Sequence, residues 1–289
     1  MRKNQNAAIA AIVISMLIFG TIGIFRRSID LPSEVLSFAR GVMGSLFLLL
    51  VMKVSGKEHD RAAVRRMLPL LLLSGALIGI NWILLFEAYI YTSVAVATLC
   101  YYMAPVFVIL ASPLLLHEKI TRRKGICVIV SVIGMVLVSG ILDPGAAAGS
   151  ASFKGVLLGL GAAALYASVV LLNKKITGVP VYDKTILQLS AASAVMIPYM
   201  LATGTLHTYP LKTGQLLALL TVGIVHTGIA YAMYFGAIEK LPAQTCALLS
   251  YIDPVTAVLL SAGLLHEPMS ALTVLGAVLI LGSAIAAEL

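Results

Sequence analysis

Ten runs of about twenty mostly apolar residues follow one another along the chain, and this pattern constrains the fold more than any other feature. A helix needs about 20 such residues to cross the hydrocarbon core of a bilayer. Charged residues make up only 11% of the chain, whereas soluble domains hold roughly 25%. The sequence therefore predicts an all-α integral membrane protein with ten transmembrane spans: residues 7–25, 34–53, 67–90, 93–116, 124–142, 154–173, 184–203, 214–236, 243–265 and 270–288.

The positions of the Lys and Arg residues predict how these spans are oriented. With the N-terminus in the cytoplasm, fifteen of them fall on the inner side and four on the outer side, while Arg40 lies within span 2. Such a bias orients membrane proteins, and a count of nine or eleven spans would scramble it. We therefore predict a multi-pass protein of the inner (cytoplasmic) cell membrane with both termini cytoplasmic. Because the basic residues form short clusters between apolar runs, the net charge of +8 does not indicate nucleic-acid binding.

An internal repeat appears when the chain is compared with itself at an offset of 149 residues. The segment "YYMAPVFVILASPLLLHEK" at 101–119 aligns with "SYIDPVTAVLLSAGLLHEP" at 250–268. About a third of the positions agree over about 40 residues without a gap. Each half holds five spans, an odd number, so the second half must be inserted upside down. We predict two inverted five-helix repeats, at 1–142 and 154–289, joined by a linker at 143–153.

The chain resembles the drug/metabolite transporter superfamily, and specifically its EamA-type ten-helix members. The most specific parts of the resemblance are the two "P…LL…HE" segments at 105–118 and 254–267, each followed by a helix that contains Gly125 or Gly276. The resemblance implies transport of small organic solutes without ATP, often as export of amino acids or related metabolites. It also implies a cavity lined by spans 1, 3, 4, 6, 8 and 9. The four-helix branch of the superfamily couples protons through a glutamate in its first helix, but spans 1 and 6 carry no carboxylate, so that mechanism does not carry over.

Differences between the two halves indicate functional residues, because a substrate is rarely two-fold symmetric. Asp253 lies at the centre of span 9, where a charge costs roughly 2.5–3.5 kcal/mol, and its repeat partner is Ala104. Asp253 is either the cation- or proton-binding group that couples transport or a protonated side chain that bonds a neighbouring helix. His226, at mid-depth in span 8, is either its proton partner or part of an interhelical hydrogen bond. The equivalent residues Pro105 and Pro254 are either hinges beside the site or kinks for packing.

Polar and aromatic side chains within the spans form the predicted substrate site. Arg40 either binds a substrate carboxylate with its planar fork or extends to the outer interface. Trp82, the only tryptophan, lies away from the interfaces where membrane proteins normally place this residue. The tyrosines either pack with satisfied hydroxyls or form a pocket for aromatic or cationic solutes. The predicted substrate-binding set is Arg40, Asn81, Trp82, Tyr101, Tyr102, Tyr166, Tyr231, Tyr234, Ser250 and Tyr251.

The leading hypothesis is a secondary transporter that exports a small organic metabolite, such as an amino acid, by alternating access, with protons as the candidate coupling ion. The alternatives are proton-coupled uptake of a quaternary amine such as choline and an intramembrane enzyme that uses His226 and Asp253. Inverted repeats favour transport, because they serve access from two sides. The sequence contains no phosphate loop, catalytic triad or metal-binding motif, so we expect no cofactor, no metal and no catalysis. The expected partners are the solute, protons and the lipid bilayer, and the oligomeric state is left open.

Reporter fusions test this topology. A reporter enzyme that is active only outside the cytoplasm, fused within residues 143–152, should be active, because that segment follows five spans from a cytoplasmic N-terminus. The same reporter fused to the C-terminus should be inactive. A cytoplasmic signal from the central fusion would overturn both the topology and the inverted repeat.

Overall fold

The computed structural model describes residues 2–56, 59–115, 120–138, 150–238, 240–241, 246 and 249–288. Over these residues the chain forms helices and connecting turns without a β-strand. Ten helical segments occur in this part of the chain, in the order of the ten predicted spans, and we number them α1–α10. Seven of them are long and apolar enough to cross a membrane, and α9 and α10 are shorter apolar helices.

Three of the ten segments are interrupted or change their helix type, and we label their parts a, b and c. The segments are α1 (α1a Arg2–Gly20, α1b Ile22–Ser28), α2 (Ser33–Val54), α3 (Arg61–Tyr91), α4 (α4a Val94–Tyr101, α4b Ala104–Leu115), α5 (Arg122–Val138), α6 (Ser150–Lys175), α7 (Val181–Thr203), α8 (α8a Thr213–Leu220, the π-helix α8b Thr221–Ile229, α8c Ala230–Ile238), α9 (Ile252–Gly263) and α10 (Ala271–Glu288). Most of the predicted linker lies outside the described residues, and residues 150–153 begin α6.

Several helices begin and end at residues whose side chain or backbone favours a boundary. The carboxylate of Asp60 accepts a hydrogen bond from the Ala63 N–H and starts α3. The Ser93 hydroxyl does the same for Val96 at the start of α4a. Both residues satisfy a backbone donor that the first helical turn leaves free. At its other end, α7 stops at Gly204, whose φ of 71° is the left-handed conformation that glycine tolerates.

The two predicted hinge prolines lie directly after a helix interruption. Pro105 is the second residue of α4b, and Pro254 is the third residue of α9. A proline costs no hydrogen bond in the first turn, because the backbone N–H groups there have no partner within the helix. The chain leaves the helix at Tyr102 and Met103 before Pro105, and at Tyr251 before Pro254. The prolines thus restart helices rather than kink continuous ones.

The helices of the two halves pack against each other across the bundle. α2 packs on α7, α3 packs on α6 and α7, and α1 packs on α8 and α9. α5 packs on α10, and both expose apolar side chains such as Ile129 and Val278. Small residues let these two helices approach closely, and the Ser131 and Ser283 hydroxyls lie 2.6 Å apart between them.

A matched pair of glycine substitutions tests the contact between α5 and α10. In Gly134→Ala the new Cβ would lie 2.8 Å from the backbone oxygen of Gly276, whereas at Gly125 of the same helix nothing lies within 4 Å. Gly134→Ala should therefore lower the free energy of unfolding by about 1–3 kcal/mol through overpacking. Gly125→Ala should cause no loss. Thermal unfolding of the purified protein in detergent measures both, and equal stability of the two variants would contradict the packing described.

Candidate functional site

The interruption of α4 meets the first turn of α9 inside the bundle, at Asp253. The Tyr102 hydroxyl, in the residue that follows α4a, donates a 2.8 Å hydrogen bond to Oδ2 of Asp253 in the first turn of α9. α1a ends beside the same turn, because a Cβ added at Gly20 would lie 2.7 Å from the backbone oxygen of Asp253. The break of α4 and the end of α1a therefore both lie beside the first turn of α9, which carries Asp253.

Tyr102 and Tyr251 locate this site on the pseudo-two-fold axis of the repeat. The two residues are equivalent in the repeat, and their ring centroids lie 6.3 Å apart. Equivalent residues can contact each other only where they lie on either side of the axis that relates them. Asp253 breaks the symmetry at this point, because its equivalent residue is Ala104. The site thus lies at the repeat interface, where inverted-repeat transporters bind their solutes.

Tyrosine rings surround the Asp253 carboxyl, and we call Tyr101, Tyr102, Tyr166, Tyr231 and Tyr251 the tyrosine chamber. The ring of Tyr101 contacts Tyr102 edge-on at 6.0 Å and Tyr166 at 5.4 Å between centroids. The Tyr231 ring contacts Phe19, the residue before Gly20 at the end of α1a, edge-on at 5.3 Å between centroids. The structure therefore brings together five of the tyrosines that the sequence predicted.

Tyr166 is the most exposed member of this chamber. The residue is 41% exposed, although its ring packs against Tyr101. Tyr166 lies one helical turn after Ala162, whose backbone oxygen accepts a hydrogen bond from Asn81 of α3. Residues four apart share a helix face, so Tyr166 lies on the side of α6 that packs against α3.

Arg40 lies inside the protein and not at the outer interface that the snorkelling alternative requires. The residue is 4% exposed. Its Nε donates a 3.1 Å hydrogen bond to the Thr227 hydroxyl, and its Cζ lies 4.1 Å from the ring centroid of Trp82 and 5.4 Å from that of Phe86. Cation–π contacts of this kind stabilise a guanidinium away from water.

The π-helix α8b carries His226 and Thr227 and directs them to two different helices. A π-helical stretch is rare and frequently marks a functional site. His226 Nε2 lies 2.8 Å from the Thr21 hydroxyl, at the break of α1, and Nδ1 lies 3.2 Å from the backbone oxygen of Thr221. Because that carbonyl only accepts, Nδ1 carries the proton in this contact. The Thr21 hydroxyl donates its one proton to the Ile18 backbone oxygen at 2.7 Å, so the direction of its contact with Nε2 depends on the tautomer of His226. Asp253 bonds Tyr102, so the two candidate coupling residues have different hydrogen-bond partners.

Asn81, Ser250 and Tyr234 hold helices in place around the chamber. Asn81 is 1% exposed and donates a 2.5 Å hydrogen bond to the Ala162 backbone oxygen, which ties α3 to α6. Ser250 donates to the Cys246 backbone oxygen at 2.8 Å and also bonds Tyr234. Asn81 thus has a packing contact, whereas Trp82, the next residue, faces Arg40.

Sequence reasoning did not identify Thr21, Phe86, Tyr89 and Thr227 as site residues. Phe86 and Tyr89 follow Trp82 by four and seven positions, so helical periodicity could have placed them on its face of α3. Thr227 and Thr21 had no such signal, because a hydroxyl residue in a membrane helix usually bonds its own backbone.

Comparison with known proteins places both halves of the chain in one group of sequences. The family described as "EamA-like transporter family" matches residues 6–140 and again residues 153–287. The uncharacterized transporter YxxF of Bacillus subtilis (strain 168) is 31% identical over 263 residues, which cover 89% of this chain and 82% of that protein. The pseudopaline exporter CntI of Pseudomonas aeruginosa is 32% identical over 111 residues, 38% of each chain. A protein of known crystal structure, 20% identical, shares the fold with a TM-score of 0.66 over 98% of this chain and 97% of its own.

These comparisons confirm the predicted fold class. The same family description matches each half separately, and each half contributes five of the ten helical segments in the described part of the chain. The protein is therefore an all-α, multi-pass membrane protein built from two inverted five-helix repeats. The predicted boundaries at 142 and 154 stay predictions.

Proposed function

The chain belongs to the EamA-like transporter family, and we propose that it carries a small zwitterion of the amino-acid type by alternating access between the two sides of the membrane. The observation that carries this proposal is the buried Arg40 guanidinium. Within the described residues, Arg40 has a hydroxyl and two aromatic rings as partners, but no carboxylate.

A buried guanidinium without a counter-ion is suited to receive one from a substrate. Burying a charge is costly unless the charge is paired. The hydrogen bond of Arg40 to Thr227 uses Nε, so the terminal Nη1 and Nη2 groups take no part in that bond. Two terminal N–H groups in one plane match the two oxygens of a carboxylate. The Trp82 ring holds the guanidinium plane in place. We infer that a substrate carboxylate supplies the missing negative charge.

Asp253 supplies the opposite end of the proposed site. Its carboxyl accepts from Tyr102 and lies among tyrosine rings whose faces attract cations. A substrate ammonium would therefore bind at Asp253 while the substrate carboxylate binds at Arg40. The same carboxyl is the proposed coupling group, because burial favours the neutral acid and a cationic neighbour favours the carboxylate. His226 stays a proposed proton partner of lesser weight.

The direction and orientation of transport belong to the same proposal. We propose export across the inner membrane, supported by similarity to the pseudopaline exporter CntI over part of the chain. Cytoplasmic termini are supported by the inward excess of Lys and Arg. We further propose that the chain has no enzymatic activity, since its relatives are named as transporters.

Uptake of a quaternary amine is the second candidate, and the tyrosine chamber favours it. Aromatic rings beside a carboxylate form a site for quaternary ammonium groups, and Tyr102 and Tyr251 flank Asp253 in this way. Arg40 distinguishes the candidates, because a purely cationic solute would leave its guanidinium without a counter-ion and would be repelled by it.

Substitution of Arg40 tests the carboxylate site. Arg40→Gln should raise KM for an amino acid by about 10- to 100-fold, since a hydrogen bond to a charged group contributes about 1.5–3 kcal/mol and each 1.4 kcal/mol is about tenfold. Arg40→Lys should recover only part of this, because an ammonium lacks the planar fork. Solute flux into proteoliposomes measures both.

The matched control is Arg123→Gln. Arg123 is exposed and bonds the Ala286 backbone oxygen, remote from the chamber, so its loss should leave KM unchanged. An Arg40→Lys protein with full amino-acid transport would contradict the carboxylate site, and so would an amino acid and its amide being transported equally well.

Three substitutions around Asp253 test the coupling role. Asp253→Asn keeps the side-chain shape and a hydrogen-bonding group but cannot ionise, so it should fold normally and lose transport driven by a pH gradient. Tyr102→Phe removes the hydrogen bond but leaves an ionisable carboxyl, so coupling should persist. His226→Gln should have a smaller effect than Asp253→Asn. Proteoliposome flux with and without a pH gradient measures all three, and normal pH-driven transport by Asp253→Asn would show that the proton-coupling proposal is wrong.

A further inference from the structure

Five residues close the end of the bundle that is predicted to face outward, and we call them the outer clasp: Arg27, Thr92, Val94, Ser261 and Glu267. Arg27 Nη2 lies 2.8 Å from Glu267 Oε1 and donates to the Thr92 backbone oxygen at 2.8 Å. Glu267 Oε2 accepts from the Val94 N–H at 2.8 Å and from the Ser261 hydroxyl. Since these residues lie on α1b, beside α3 and α4a, and at the end of α9, the clasp joins four helices on one side of Asp253.

A cavity of about 710 Å³ lies beside the clasp, and we call it the vestibule. Arg26, Arg27 and Asp30 from the end of α1 line it together with Tyr89 of α3 and Tyr209. Arg26 is engaged inside the protein, because it donates to the Ile29 backbone oxygen at 2.9 Å and to the Ser33 hydroxyl at 3.2 Å. The Ser33 hydroxyl in turn donates to the Glu87 carboxylate. Arg27 is therefore the lining cation that a solute can reach.

We propose that the vestibule is a second, outer binding site for a carboxylate-bearing solute, and that a carboxylate on Arg27 releases the clasp by displacing Glu267. This inference rests on the proposed transport of a carboxylate-bearing solute. It adds a site and a gating step that the Arg40 site does not require.

The clasp geometry favours an exchange of carboxylates on Arg27. The Arg27 side chain is 38% exposed and that of Glu267 only 14%, so a solute can approach the arginine. Both described side-chain hydrogen bonds of Arg27 come from Nη2, which leaves a side of the planar fork for a second carboxylate. Glu267 keeps the Val94 N–H and the Ser261 hydroxyl as donors after Arg27 leaves. The exchange therefore leaves neither charge without a partner.

The Tyr89 side chain separates the vestibule from the central site. It lines the vestibule, is only 3% exposed, and its hydroxyl lies 3.3 Å from that of Thr98 on α4a. Its ring centroid lies 6.5 Å from that of Phe86, whose ring contacts Arg40. Movement of α4a away from α1b, once Arg27 no longer bonds Thr92 and Glu267, would displace the Thr98 partner of Tyr89. The vestibule would then connect to the tyrosine chamber.

A thiol at position 250, next to Tyr251 of the chamber, reports whether the clasp is open. In a Ser250→Cys protein the three native cysteines give little background, because Cys100, Cys127 and Cys246 are buried. A membrane-impermeant maleimide added outside right-side-out vesicles should label this thiol slowly, and L-leucine should accelerate the labelling, whereas leucinamide, which lacks the carboxylate, should not. Adding Glu267→Gln should make labelling about tenfold faster without leucine, equivalent to about 1.4 kcal/mol of lost closure. Adding Arg27→Gln should make the labelling fast and insensitive to leucine.

The matched control adds Lys154→Gln to the Ser250→Cys protein. This substitution removes a cation that lies over Tyr91 and outside the clasp, so the labelling rate should not change. Acceleration by leucine that persists in Arg27→Gln, equal acceleration by leucinamide, or no acceleration at all would each overturn the proposal. Labelling needs access and not transport. If the labelling result contradicts the outer site while Arg40→Gln still impairs transport, only the outer site is wrong. If the Arg40→Gln protein transports amino acids normally, only the proposed function is wrong.

Discussion

Lipid provides no hydrogen-bond partners, and this constraint determines where the helices of the protein can be interrupted. Helices satisfy their own backbone groups, so a helix may be interrupted at membrane depth only where protein or water replaces the lost bonds. The interruptions at Thr21, at Tyr102 and at Tyr251 accordingly lie in the interior, between helices of both halves. Where these interruptions converge, backbone groups without a helical partner lie beside polar side chains. A carboxyl group such as that of Asp253 costs less free energy there than it would facing lipid.

The inverted repeat brings these interruptions together, and the residues that differ between the two halves are the candidate functional groups. Tyr102 and Tyr251 are equivalent and meet on the pseudo-axis, as the symmetry requires of residues at the centre. Asp253 opposite Ala104 and the π-helix around His226 and Thr227 are features of the second half. In the transport that we propose, an asymmetric solute would use these asymmetric contacts, and the symmetric framework would let one site face either side of the membrane.

The sequence predicted the helical framework well, because apolar run length reports directly on the bilayer. In the described part of the chain the ten helical segments and their order are confirmed. The helix that contains span 3 begins at Arg61, before the predicted span, because Asp60 caps it. Repeat comparison also singled out Asp253, whose position at a helix interruption supports a functional role.

The partners of these residues could not be predicted, because they depend on contacts between distant parts of the chain. Tyr102 and Asp253 lie 151 residues apart, Arg40 and Thr227 lie 187 apart, and Arg27 and Glu267 lie 240 apart. No local pattern links such pairs. The interior position of Arg40 likewise follows from Trp82 and Phe86 on another helix.

The most direct test of a zwitterion site is ligand stabilisation of the purified protein, which needs no assumption about the direction of transport or its coupling. Thermal unfolding should shift upward with an amino acid and much less with either its amide or its decarboxylated amine, and an amine that stabilises as strongly as the amino acid would contradict the account.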